Sequence, residues 1–168
     1  LYADLALASV HVGDYDEAKS ALKAAIRWNP MDCGSRLNLA DLYKLDGDME
    51  EYLGLSFSVF ERASDPRHLA RAYVNFSAWF QVSEKPEVAA ACLRAALALD
   101  VRDGALDAAV DQASGTDRDP AGVSDDEAGS LLEAEGLPRG ANAEMAACLL
   151  ICASNAVRAG QKANATAY

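Results

Sequence analysis

The stretch from Gly13 to Pro30, GDYDEAKSALKAAIRWNP, decides the fold of this chain. Within it, Ala18, Leu22 and Ala25 recur at the spacing that places side chains on one face of a helix. The two small alanines allow a second helix to approach closely, and Leu22 fills the gap between them. A single helix pair of this kind cannot bury both of its faces, so we expect several pairs to stack on one another.

The same alternation of large and small apolar residues returns further along the chain. A step of about 34 residues leads from Gly13 to Gly47. The core positions of this second unit are Leu39, Ala40, Tyr43, Tyr52, Ser56 and Val59. A third unit follows after about three extra residues near Asp65, and we interpret the segment through His68 as its connection to the second unit. Its core positions are Tyr73, Phe76, Ser77, Phe80, Ala89, Leu93 and Ala96.

These units resemble tetratricopeptide repeats. In that family a Gly-Asp-Tyr turn, here beginning at Gly13, opens the second helix of each pair (helix B), and a proline, here Pro30, ends the unit. The resemblance implies an all-α fold, an α-α superhelix in which antiparallel helix pairs form a right-handed solenoid. In the third unit Glu84 stands where the family has glycine, and Pro86 suits the first turn of helix B because that position needs no N–H.

The repeat pattern predicts one domain over residues 1–168. Its segments are repeat 1 at 1–32, repeat 2 at 33–66, repeat 3 at 70–103, a degenerate repeat at 104–140 and a partial repeat at 141–168. In the degenerate repeat, residues 104–113 indicate a short helix, and Ser124 opens a second helix with a capping box. The chain begins at Leu1 without a methionine, so we expect it to be a fragment of a longer protein.

The resemblance also implies a binding surface. Tetratricopeptide arrays hold extended peptides or partner helices in a concave groove that is lined by the first helix of each pair (helix A). Carried over to this sequence, the groove residues are Asn38, Asp41, Lys44, Arg71, Asn75, Ala78 and Gln81. Spacings of three and four residues place the members of each set on one helical face. The alternative interpretation is an ordinary solvated face.

The charge of the chain bears on the choice of partner. The formal net charge is −11 at pH 7, and such a surface repels phosphate groups. We therefore expect no nucleic acid and no membrane as partner, and a protein or peptide that is basic or apolar rather than acidic. No apolar run reaches the roughly 18 to 20 residues that a membrane-spanning helix requires.

Signals for chemistry are weak. Neither His11 nor His68 has a cysteine or serine nearby in a nucleophile motif, and the sequence contains no glycine-rich phosphate loop. Residues 117–122 resemble the start of a calcium loop, but Glu127 is one residue early for the bidentate ligand and Pro120 interrupts the loop. We predict no enzyme, no catalytic residue, no metal site and no cofactor.

The cysteines match no zinc-binding spacing. They are Cys33, Cys92, Cys148 and Cys152. We interpret them as free thiols, with Cys33 in the turn between two repeats and the others on apolar helix faces. Free thiols favour a reducing, cytoplasmic location.

The two tryptophans, Trp28 and Trp79, are predicted to pack between repeats, because large aromatic rings bury much apolar area. The alternative is that they form a hot spot for a partner.

Two hypotheses of function follow. The first is a protein-interaction or scaffold module that binds a peptide or helix of a partner in the groove. The second is a structural spacer, sensor or oligomerisation segment of a larger regulatory protein. The partner and the pathway are not encoded in the pattern, since a fold does not imply a function.

Overall fold

All regular secondary structure of the described residues is helical. The computed structural model describes residues 2–114 and 119–139. Its elements are α1 (Tyr2–His11), α2 (Tyr15–Trp28), α3 (Cys33–Asp46), α4 (Met49–Phe60), α5 (Pro66–Val82), α6 (Pro86–Leu97), α7 (Gly104–Ala113), a 3₁₀ turn (Pro120–Gly122) and α8 (Asp125–Ala134). These ranges contain no strand, and the predicted all-α class is confirmed.

The chain divides into two compact units. Unit 1 spans residues 1–63 and contains α1–α4, and unit 2 spans residues 64–168 and contains α5–α8. In both units the helices pack on their neighbours in sequence, with α1 on α2, α3 on α4 and α5 on α6. The division into five repeats stays a prediction, and the partial repeat at 141–168 lies outside the described residues.

Three helices of unit 1 begin with the same type of N-cap hydrogen bond. Asp14, Asp32 and Asp48 are the N-caps of α2, α3 and α4. Each carboxylate accepts a hydrogen bond from the backbone N–H three residues later, at 3.0, 2.9 and 3.2 Å respectively. The bond satisfies one of the N–H groups that lack a partner at a helix start. A repeated aspartate therefore fixes where each of these helices begins.

The core of unit 1 lies where α1, α2 and α3 meet. It contains Ala18 and Leu22, two of the side chains that the sequence pattern placed on one face. The fully buried members are Ala6, Ala18, Ala21, Leu22, Leu39 and Leu42. On α4, Tyr52 and Val59 are also buried. The predicted close approach of helices at Ala18 is confirmed, since this residue has no exposed surface.

Unit 2 opens with a longer helix than the sequence pattern indicated. We expected the segment from Asp65 to His68 to connect two repeats, and this is wrong: α5 already begins at Pro66. The reason is local, because proline is suited to the first helical position and the Asp65 carboxylate accepts from the backbone N–H of Arg67 at 2.9 Å. The core between α5 and α6 follows the predicted pattern, with Tyr73 and Leu93 fully buried.

The two helices of the predicted degenerate repeat do not form a hairpin like the earlier pairs. The bounds of α7 and the capping box at Ser124, whose hydroxyl accepts from the N–H of Glu127 at 3.3 Å, agree with the sequence. However, both α7 and α8 pack on α6. Ion pairs of 2.7 Å join Arg94 to Asp125 and Lys85 to Glu135 at the α8 contact. The last two helices therefore extend the core of the third pair.

Three inter-helix turns share one backbone geometry. Gly13, Gly47 and Glu84 have φ angles of 82, 80 and 58°, in the left-handed region. In each turn the N–H of the next residue donates to the carbonyl five residues before it, at 2.9 Å. Glycine enters this region without steric penalty, whereas a residue with a Cβ is strained there. Glu84 therefore carries strain that the two equivalent glycines avoid.

Replacing Glu84 by glycine is expected to stabilise unit 2 by on the order of 1 kcal/mol, because the turn is kept and the strain is removed. Urea denaturation followed by circular dichroism measures the change. Glu87→Gly is the control, since Glu87 is an exposed residue in the first turn of α6 and glycine should destabilise a helix there. Destabilisation by Glu84→Gly would contradict the assigned strain.

The same substitution by alanine at two glycines of unit 1 should change the stability of the unit in opposite directions. Gly47→Ala is expected to destabilise by about 1 kcal/mol because of its φ of 80°. Gly54→Ala is expected to stabilise by about 1 kcal/mol, because Gly54 lies inside α4 and open space among the described residues surrounds the position that a Cβ would take. Thermal unfolding of the two variants measures the sign of each change in stability. The same sign for both variants would refute the geometric explanation.

Candidate partner-binding surface

The predicted groove residues of the second repeat lie in a row on α3. Asn38 and Lys44 are exposed and Asp41 is half-buried, so this row presents polar groups to solvent. Asp41 and Asn38 also take part in polar interactions within the protein. The ammonium nitrogen of Lys44 lies 5.4 Å from the centre of the Tyr52 ring, which restricts the side chain by a cation–π contact. The α3 row is therefore a partly ordered polar surface of unit 1.

The predicted groove residues of the third repeat lie on α5, in unit 2. Arg71, Ala78 and Gln81 are half-buried, and Asn75 is only 7% exposed. Asn75 therefore offers little surface to a partner. The sequence spacing placed these residues on one helix as expected, but it did not distinguish the buried amide from its neighbours. That the two rows line one groove stays a prediction.

The two tryptophans differ in their surroundings. Trp79 is half-buried on α5, whereas Trp28 is 84% exposed at the end of α2. The predicted packing of Trp28 between repeats is therefore wrong. Its position explains the error: α2 ends at this residue, and the chain turns away at Asn29 before any described element can cover the ring.

A surface pocket of about 510 Å³ lies beside the exposed Trp28 ring. It forms where the start of α1, the end of α2 and the start of α3 come together. Its lining residues are Tyr2, Ala3, Ala25, Trp28, Asn29 and Asp32. Sequence reasoning missed this pocket, and the only signal for it was the tryptophan beside the turn that ends the first repeat.

A second pocket of unit 1, of about 460 Å³, is acidic and lies at the opposite end of α2. It is lined in part by Asp14, Asp16 and Asp46. The Lys19 ammonium bridges it, 2.6 Å from a carboxylate oxygen of Asp46 and 3.3 Å from one of Asp16. The hydrogen bond to Asp46 raises the pKa of Lys19. The carboxylates of Asp16 and Asp46 are thus already paired with a cation of the chain, and the lysine ties α2 to the end of α3.

The thiols and imidazoles form no reactive set in the part of the chain that is described. Cys33 and Cys92 are free and buried, and burial raises the pKa of both thiols. Cys33 was expected in a turn, but it is the first residue of α3. His11 is exposed at the end of α1. Cys148 and Cys152 lie outside the described residues.

The calcium-like segment is partly described. Residues 117 and 118 lie outside the described ranges, and Glu127 lies in the first turn of α8. Among the described residues, no group of three or more His, Cys, Asp or Glu side chains could hold a metal ion. None of the described helices combines the length and apolar character required to cross a membrane.

The fold defines a class of protein, one built from consecutive helix pairs that pack on one another. Comparison with protein families gives a match over the first part of the chain. The tetratricopeptide repeat model matches residues 1–31, the segment that holds α1, α2 and the Gly13 turn. Over these residues the predicted resemblance to a tetratricopeptide repeat is confirmed. No curated protein and no solved structure matches the chain.

Proposed function

We propose that the chain is a protein-interaction module that binds a peptide or a helix of a partner on the helix A surface. The observation that carries this proposal is the tetratricopeptide match at residues 1–31, since repeats of this family mediate protein–protein interaction. The pairs α3–α4 and α5–α6 have the same build of two helices joined by a tight turn with positive φ. Stacked pairs of this kind create the extended surfaces that repeat proteins use for binding.

The α3 and α5 rows supply the contacts in this proposal. The α3 row offers the Asn38 amide, the Asp41 carboxylate and the Lys44 ammonium. The α5 row offers the partly exposed side chains of Arg71 and Gln81. Rows held by helices are preformed, so binding costs little ordering of the protein itself. Recognition of this kind requires no chemistry, and we propose that the chain is not an enzyme.

The charge balance supports a partner that is basic or apolar. A net charge of −11 attracts basic segments over distances of about a Debye length and repels phosphate-rich surfaces. We therefore propose a protein or peptide as partner, and neither nucleic acid nor membrane. The free thiols of Cys33 and Cys92 support the further proposal of a cytoplasmic location.

The test compares two double variants of the full chain in affinity capture from a cell extract. Lys44→Glu with Arg71→Glu reverses one charge on each row. The matched control is Lys23→Glu with Arg102→Glu: Lys23 is exposed on α2 and lies 5.5 Å from the centre of the Tyr43 ring, much as Lys44 lies over Tyr52. We expect the first variant to change the set of captured proteins and the control to leave it as in wild type. Identical sets for all three proteins would refute the assignment.

The alternative function is structural, as a spacer, sensor or oligomerisation segment. It is favoured by apolar side chains that α1 leaves exposed, Leu5 at 44% and Leu7 at 59%. Large exposed apolar patches commonly mark association surfaces. Sedimentation of the full chain over a range of concentrations distinguishes the two. A stable dimer that Leu7→Glu dissociates would favour oligomerisation.

A further inference from the structure

The pocket beside Trp28 has the chemistry of a cation-binding site. Two aromatic rings border it, and both are accessible: Trp28 is 84% exposed and Tyr2 is 42% exposed. The face of an aromatic ring attracts cations, and tryptophan does so most strongly. The small side chains of Ala3 and Ala25 form part of the lining.

The polar rim of the pocket carries negative charge. Asp32 lines the pocket and is held in place by its role as N-cap of α3. Its two carboxylate oxygens accept from the backbone N–H and from the hydroxyl of Ser35, at 2.9 and 2.7 Å. Each oxygen keeps a further lone pair for another donor. Of the described residues that line the pocket, none has a basic side chain.

We propose that this pocket binds a lysine or arginine side chain of a partner protein segment. The aromatic rings would receive the cation and its apolar stem, and Asp32 would pair with its charge. Next to the pocket in sequence, Met31 is 60% exposed and offers an apolar contact to the residue beside the cation. The occupant is thus a basic residue flanked by apolar ones. This site lies in unit 1, and none of its lining residues belongs to the α3 or α5 row. The proposal for this site can therefore be tested independently of the groove.

The volume agrees with such an occupant. A pocket of about 510 Å³ lies within the range of roughly 300–1,000 Å³ that is usual for small-ligand sites. A lysine or arginine side chain is smaller than this volume and fits within it. The acidic balance of the whole chain, −11, adds a long-range attraction for the same kind of segment.

The probe is the peptide acetyl-Leu-Lys-Leu-amide, titrated into the ¹⁵N-labelled full chain. The two tryptophans give two indole N–H signals, and Trp28→Phe assigns them. We expect the Trp28 signal to shift during the titration and the half-buried Trp79 signal to stay in place. The matched neutral peptide carries norleucine instead of lysine, and we expect its binding to be at least about tenfold weaker.

A pair of variants tests the role of the carboxylate. Asp32→Asn keeps an N-cap side chain and removes the charge, so α3 should stay folded. Asp48→Asn is the same change at the N-cap of α4, which does not line the pocket. We expect Asp32→Asn to weaken binding of the lysine peptide about tenfold and Asp48→Asn to change it less than about twofold.

Three results would overturn the proposal. Equal binding of the lysine and norleucine peptides would show apolar docking without cation recognition. Equal effects of Asp32→Asn and Asp48→Asn would show only a general charge effect. A Trp28 shift that depends on protein concentration without peptide would show that a second copy of the chain occupies the pocket.

Discussion

Replacing Leu22 by alanine is expected to lower the free energy of unfolding of unit 1 by about 3 kcal/mol. Leu22 is 2% exposed and lies in the core cluster with Leu39 and Leu42. Removing its three outer carbon atoms loses their transfer free energy and leaves a cavity that the surrounding helices fill only in part. Urea denaturation followed by circular dichroism at 222 nm measures the change.

The control for Leu22 is the same substitution at Leu45, which is 72% exposed near the end of α3. Leu45→Ala is expected to change the free energy of unfolding by less than about 0.5 kcal/mol, as is usual for surface positions. If the two variants were equally stable, the core of unit 1 would not be where α1, α2 and α3 meet.

Replacing Leu132 by alanine is expected to lower the stability of unit 2 by about 3 kcal/mol as well. Leu132 has no exposed surface, and α8 packs on α6. The truncation should also loosen the docking of α8, since the exposed ion pairs around it contribute little by themselves. Hydrogen exchange of the α8 amides should therefore become faster than that of the α5 amides.

The control for Leu132 is Leu97→Ala, because Leu97 is 39% exposed at the end of α6. We expect a loss of less than about 1 kcal/mol and unchanged exchange in α8. An unchanged exchange rate of α8 in Leu132→Ala would contradict the docking of this helix on α6. It would favour the separate helix pair of the degenerate repeat that the sequence pattern predicts for residues 104–140.

The strained turn and the N-caps show how local sequence signals work. Asp14, Asp32 and Asp48 mark helix starts because a carboxylate there meets a backbone N–H of its own first turn. Gly47 marks a left-handed turn for a similar reason, since the need for a positive φ angle arises within the few residues of the turn itself. Glu84 occupies the same kind of turn without glycine, so its φ of 58° lies in the left-handed region that favours glycine.

The candidate site depended more on contacts between residues that are distant in the sequence. Sequence spacing placed Asn38, Asp41 and Lys44 on one face of α3. In the corresponding set on α5, however, Asn75 is buried while Gln81 is partly exposed. The pocket at Trp28 joins residues from three helices, and no spacing rule connects Tyr2 to Asp32. A site that is assembled from several elements cannot be read from the period of any one of them.

The sequence by itself determined the all-α class, the pairing of helices from α1 to α6 and the buried faces at Ala18, Leu22 and Ala25. These follow from a repeating period and from turns of a few residues, so neighbouring residues contain all the information. Only the tertiary structure decided that Trp28 is exposed and that α8 packs on α6. Burial depends on which surfaces meet after the chain has folded, and those surfaces come from residues that are distant in the sequence.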